Sequence, residues 1–217
     1  MVFPGREQFR AIVLRYLEVP GAKLLLALGF SPNAVTMLGF SISLAAAALV
    51  GAGFLMAGGV VFLVGSILDL MDGSLARLTD RVTRFGALLD SLMDRLGEAA
   101  LLLGMAIYGL RADLSEGRLL FFIVVLILAL VTSQTVSYLR ARGESLGIAT
   151  RTGLMTRPER VALLALGLVL GLRPLEIILI VIAAVSAFTL LQRLFHIQRA
   201  LERGTENPPD PPLIKEG

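Results

Sequence analysis

Between Lys23 and Asp69 the chain runs 45 residues without one charged side chain, and between Arg118 and Arg140 it runs another 21. A helix needs about 20 apolar residues to cross the hydrocarbon core of a bilayer, so these runs leave room for several spans and exclude a water-soluble globule. Only 17% of the residues are charged, against about a quarter in soluble domains. Zero cysteines exclude disulfides, thiolate nucleophiles and Cys-ligated zinc. The single histidine, His196, excludes His-rich metal sites and argues against a Ser-His-Asp triad. Eighteen arginines against two lysines point to fixed guanidinium contacts with phosphates or anionic lipid. With no tryptophan, stacking on nucleic-acid bases has little support, and no nucleic-acid partner is expected.

The pattern predicts an all-α, polytopic membrane protein with six transmembrane helices and an N-terminal interfacial amphipathic helix. Residues 4–19 place Phe9, Ile12, Val13, Tyr16 and Leu17 on one stripe, with Pro20 as the stop. The charges before Lys23 argue against a cleaved signal peptide. Ser31-Pro32 reads as a cap opening the first span, which runs to about Gly51. Gly51, Gly53, Gly58 and Gly59 read as a turn before a second span from about Val60. Further spans are expected over 84–110, 119–138, 157–172 and 174–203, the fifth opened by a capping box from Thr156 to Glu159. This divides the chain into a juxtamembrane segment (1–30), a membrane domain (31–203) and a proline-rich disordered tail (204–217). An even number of spans puts both termini and the loops at 77–84 and 140–160 on one side, with 16 of the 20 Lys and Arg residues. By the positive-inside rule that side is cytoplasmic and the location is the cell membrane.

Five of the seven aspartates fall between residues 69 and 94. Asp69 and Asp72 are i,i+3 at the end of the second span, and Asp90 and Asp94 are i,i+4 at the start of the third, so each pair shares a helical face. Antiparallel packing of these neighbours would gather four carboxylates near the membrane boundary, with Gly73, Ala76, Gly86 and Ala87 permitting close approach. Such a group repels itself unless cations neutralise it, and all-oxygen ligands favour Mg²⁺, or Mn²⁺, in a two-ion centre suited to phosphoryl transfer. A cation-transport pathway is the other functional reading of membrane-embedded acids. Asp80 lies mid-loop, off both faces, and reads as an ordinary solvated residue.

The segment Asp69-x2-Asp72-Gly73-x2-Ala76-Arg77-x8-Gly86-x3-Asp90-x3-Asp94 resembles the signature of the CDP-alcohol phosphatidyltransferases, integral membrane enzymes with six spans. The resemblance implies transfer of a phosphatidyl group from CDP-diacylglycerol to an alcohol, with release of CMP. It makes Asp69, Asp72, Asp90 and Asp94 the metal ligands, and Asp94 also the catalytic general base. It assigns donor-nucleotide contacts to Gly73, Arg77 and Thr83, and to Asn33, Ala34, Val35 and Thr36 after Pro32. A homodimer is likewise implied by the resemblance alone.

A second basic cluster follows: Arg140, Arg142, Arg157, Arg160 and Arg193. Several guanidiniums together with the start of the fifth helix make a pocket for a phosphate dianion, so the acceptor is expected to be phosphorylated. Contact with anionic lipid is the plainer reading of any single arginine. The stretches 131–144, 157–160 and 192–194 are similar to bacterial phosphatidylinositol phosphate synthases, which implies inositol phosphate as acceptor, its phosphate bound by Arg140, Arg160 and Arg193. Arg140 stands where those enzymes usually have lysine. The alternatives are another acceptor, such as glycerol 3-phosphate, or a non-enzymatic cation transporter.

Overall fold

The structure, a computed structural model, describes residues 18–148 and 153–206, and its regular elements there are seven α-helices. They are α1 (Val19–Ala27), α2 (Pro32–Gly51), α3 (Leu55–Leu78), α4 (Arg84–Arg111), α5 (Glu116–Ser145), α6 (Arg157–Leu170) and α7 (Leu172–Glu206). Four of them, α2, α3, α5 and α7, are long and apolar enough to cross a bilayer. The protein is a multi-pass membrane protein, and its surface agrees: Leu103, Ile127, Ile177 and Phe188 stand exposed on the helix barrel, as side chains facing lipid do.

Two expected helix starts hold, while the second span begins at Leu55 rather than near Val60. Ser31 caps α2 by accepting from the Ala34 amide at 3.3 Å, and Glu159 accepts from both the amide and the hydroxyl of Thr156 ahead of α6. Three expectations need correction. Pro20 does not end a helix but sits in the first turn of α1, where its missing N–H costs nothing. Residues 4–17 of the expected interfacial helix lie outside the described residues. Gly58 and Gly59 are not turn residues; they lie inside α3, where backbones meet. A Cβ on Gly58 would fall 3.0 Å from the Ala46 carbonyl of α2, and one on Gly59 would fall 3.0 Å from the Ala165 carbonyl of α6. In a membrane, where helices gain nothing from hiding apolar surface from lipid, such close contacts hold helices together. At the far end α7 continues through Gly204 to Glu206, past the expected boundary at 203.

The contacts fix the helix directions. Gly65 faces Gly39 and Gly58 faces Val50, so α2 and α3 are antiparallel; Gly97 faces Ser43 and Gly104 faces Ala47, so α2 and α4 are parallel. Gly109 of α4 meets Phe122 of α5, and Gly167 of α6 meets Leu175 of α7. Helices α2, α4 and α6 therefore point one way and α3, α5 and α7 the other. One end of the bundle collects the N-terminus of α2, the end of α3 and the start of α4. The end of α5, the start of α6 and the last turns of α7 complete that end.

Candidate active site

The acidic side chains are placed by glycines. On α3, Gly58, Gly65 and Asp72 recur every seven residues, and on α4 so do Asp90, Gly97 and Gly104. Seven residues are close to two helical turns, so each aspartate continues the glycine stripe that lets its helix press against α2. The apolar half of the bundle thus sets the depth and heading of the carboxylates. Asp69 and Asp72 are buried, 9% and 6% exposed. The Thr36 hydroxyl of α2 donates to Asp72 Oδ2 at 2.5 Å. Asp69 lies directly on Gly39, where any Cβ would overlap its carboxylate.

The carboxylates do not simply face one another. Among the described residues no three acidic side chains stand close enough to share one ion. Instead the first residue of α6 enters the group: Arg157 Nη2 lies 3.1 Å from Asp69 Oδ2 and 2.7 Å from Asp94 Oδ1. The four-carboxylate group thus includes a guanidinium that the sequence reading did not place there, and the reason is electrostatic. Acids crowded out of water draw in the nearest cation, here a guanidinium from a segment distant in sequence. Asp90 is within electrostatic range of Asp69, Asp72 and Asp94. Helices α3 and α4 thus bring all four into one neighbourhood.

The residues expected to meet a nucleotide divide into two kinds. Asn33 and Ala34 are exposed at the start of α2, and Asn33 Oδ1 would be 3.2 Å from a Cβ on Gly86, so the starts of α2 and α4 adjoin. Thr83 caps α4, its Oγ1 accepting from the Gly86 amide at 2.9 Å. Arg77 is exposed, donates to Ser74 Oγ at 2.8 Å and lies 3.8 Å from Glu18. Val35 departs from expectation: its side chain is fully buried with Ala22, Leu25 and Leu75, which leaves only its backbone for a ligand. Thr36 is likewise turned inward, onto Asp72.

The three expected acceptor arginines are neighbours, for Arg140 and Arg160 both lie within electrostatic range of Arg193. They are not equally available. Arg160 is buried and pairs in fork fashion with Glu98 of α4, Nε to Oε1 and Nη2 to Oε2, both at 2.8 Å. Two of its nitrogens are thus already engaged, and its remaining N–H groups are what a ligand could use. Arg193, also buried, donates to the Val136 carbonyl at 2.7 Å. Arg140 is exposed and pairs with Glu144 one turn away. Gly153 packs against Arg193: a Cβ there would sit 3.2 Å from Nη2, so the loop before α6 closes over this arginine.

Four residues escaped the reading of the sequence. Arg157 was seen only as part of a basic cluster. Glu98 continues the stripe Asp90-Asp94 by one more turn, a signal that was present. Gly39 and Glu18 had none, since their roles depend on contacts with α3.

With this geometry in place, likeness to known proteins is informative. Residues 30–192 match the CDP-alcohol phosphatidyltransferase family. The chain is 31% identical over 199 residues to the archaetidylinositol phosphate synthase of Methanothermobacter thermautotrophicus, covering 90% of this chain and 95% of that one. It is 35% identical over 198 residues to the phosphatidylinositol phosphate synthase of Mycolicibacterium smegmatis, covering 84% of each. Its fold superposes on the Mycobacterium tuberculosis phosphatidylinositol phosphate synthase crystallised with CDP-DAG, with a TM-score of 0.74 and 32% identity over 83% of this chain and 93% of that one. The same enzyme with manganese and citrate gives 0.75 and 32%, over 83% and 88%. The match of family profile, relatives and fold over most of the chain establishes that this protein belongs to the CDP-alcohol phosphatidyltransferase family.

Proposed function

We propose that this enzyme transfers the phosphatidyl group of CDP-diacylglycerol to inositol phosphate, forming phosphatidylinositol phosphate and releasing CMP. The observation that carries the reading is the meeting of an acidic wall with a basic one. Asp69 and Asp94 converge on Arg157, one turn ahead of the buried Arg160. A phosphate-bearing donor and a phosphate-bearing acceptor need those two environments side by side. The relatives differ in the lipid that their names imply, archaetidyl or phosphatidyl, and agree on inositol phosphate, which favours that head group.

The donor set fits a divalent metal. It is all hard oxygen, it is crowded, and it already holds a cationic group between two of its members. Asp69, Asp72, Asp90 and Asp94 would hold two Mg²⁺ or Mn²⁺ ions, which when bound supply neutralisation of phosphoryl charge. The chain's own residues do the rest. Thr36 fixes one oxygen of Asp72, while the edge formed by exposed Asn33, Thr83 and Arg77 with half-buried Gly73 seats the nucleotide diphosphate. Arg140, Arg160 and Arg193 draw the acceptor phosphate toward the aspartates. Asp94 takes the proton from the attacking hydroxyl as it bonds to the lipid-linked phosphorus and the bond to CMP breaks.

In the membrane we read α2 to α7 as six spans, the site and both termini facing the cytoplasm, a reading that the arginine-rich end supports. A homodimer is part of the same reading. Membranes carrying the enzyme, given CDP-diacylglycerol and radiolabelled inositol phosphate, are expected to form labelled lipid and CMP, and to stop when EDTA removes divalent ions. Labelling from glycerol 3-phosphate, with none from inositol phosphate, would overturn the choice of acceptor.

A further inference from the structure

Two rungs join α4 to α6. The first is Arg157 with Asp94, and one turn further along both helices the second is Arg160 with Glu98. They differ in how completely they are made. Arg160 sets two nitrogens on two oxygens of Glu98, both 2.8 Å away, and is buried there. Arg157 divides a single nitrogen, Nη2, between Asp69 and Asp94, while its Nε–H is buried and has no hydrogen-bond partner. A guanidinium settled for structural reasons looks like Arg160. One that leaves a buried donor unused is set up to take another acceptor.

We propose that Arg157 is a built-in counter-ion. It holds Asp69 and Asp94 together before metal arrives and cedes them when divalent ions bind. The inference rests on the reading of the aspartates as a divalent-metal centre. Without a cation the two carboxylates would repel, and the ends of α3 and α4 would part. A singly charged, delocalised guanidinium suffices to hold them, yet cannot match a doubly charged ion at the same oxygens. Displacement does not set it loose, because the Arg160–Glu98 rung keeps the first turn of α6 against α4. Arg157 thus remains beside the aspartates.

The test compares the full chain in nanodiscs, stripped with EDTA, with its Arg157→Gln and Arg157→Lys variants. Mn²⁺ binding is followed by the electron paramagnetic resonance of the free ion, and stability by thermal melting with and without Mn²⁺. Arg157→Gln is expected to melt lower in EDTA yet to bind Mn²⁺ about tenfold more tightly, since the ion no longer has to displace a cation. Arg157→Lys, which keeps the charge but loses the fork, is expected to fall between. Should Arg157→Gln fail to fold without metal, Arg157→Lys carries the comparison. Equal or weaker Mn²⁺ binding in the variants, with normal binding in the parent, overturns the counter-ion role alone. Absence of Mn²⁺ binding in parent and variants alike overturns the metal reading, and this inference with it.

Discussion

The acidic and basic walls of the site are built on opposite plans. The acidic wall comes from two helices adjacent in sequence, α3 and α4, and its charges are steered by glycine stripes against α2. The basic wall is drawn from α5, α6 and α7, and each arginine is held by its own partner: Glu144, Glu98 or the Val136 carbonyl. The carboxylates are positioned by backbone packing, with the one Arg157 guanidinium shared between two of them. Arginines that await an anion must be kept apart from one another and from those carboxylates, so each needs a dedicated acceptor. The acidic wall should therefore fail through packing and loss of charge, the basic wall through loss of a partner.

The largest effect is expected from Asp94→Asn, which keeps the shape and removes the proposed base. CMP release should fall by roughly 10²–10⁴-fold, while CDP-diacylglycerol binding to purified enzyme is largely retained. Unaltered turnover would remove Asp94 from that role. On the basic wall, Glu98→Ala leaves the Arg160 guanidinium buried without its counter-charge, and thermal melting in detergent should show a loss of about 3–5 kcal/mol. Asp94→Asn is expected to melt near the parent, so a similar loss there would erase the contrast between the walls. Gly39→Ala sharpens the packing half of the comparison. Its methyl group overlaps the Asp69 carboxylate, and overpacking of this kind costs about 1–3 kcal/mol, read as weaker Mn²⁺ binding. The same substitution at Gly147, where nothing lies within 4 Å but φ is +76°, should strain the loop and leave Mn²⁺ affinity alone. The smallest effect is expected from Arg140→Ala. This exposed arginine, paired with the equally open Glu144, should raise the acceptor KM by less than about fivefold and leave kcat unchanged, as suits an ion pair worth under about 1 kcal/mol.

The two plans also explain what could be read from the sequence. The spacing from Asp69 to Asp94 is local, so both helical faces, the cap at Ser31 and the capping box at Thr156 were visible in the order of residues. Gly58 and Gly59 were misread as a turn because glycine marks both bends and close helix contacts, and only the neighbour distinguishes them. Arg157 was misjudged for a similar reason. Its 88-residue separation from Asp69 is closed by the packing of α6 on α3, which no motif encodes. Arg160 looked like a free cation because Glu98 sits on another helix. Val35 was assigned to a ligand with its neighbours, although α1 covers it.

Helix α6 has 14 residues, or about 21 Å of rise, against a hydrocarbon layer of about 30 Å. Its far end joins α7 through Gly171, so with that joint at one boundary Arg157 lies roughly a third of the way into the layer from the other. The site is then sunk beneath the level of the phospholipid headgroups. A lipid substrate need not be lifted from its leaflet to react; it can slide in laterally, and the new phospholipid can drift out by the same sideways route, its tails never leaving oil.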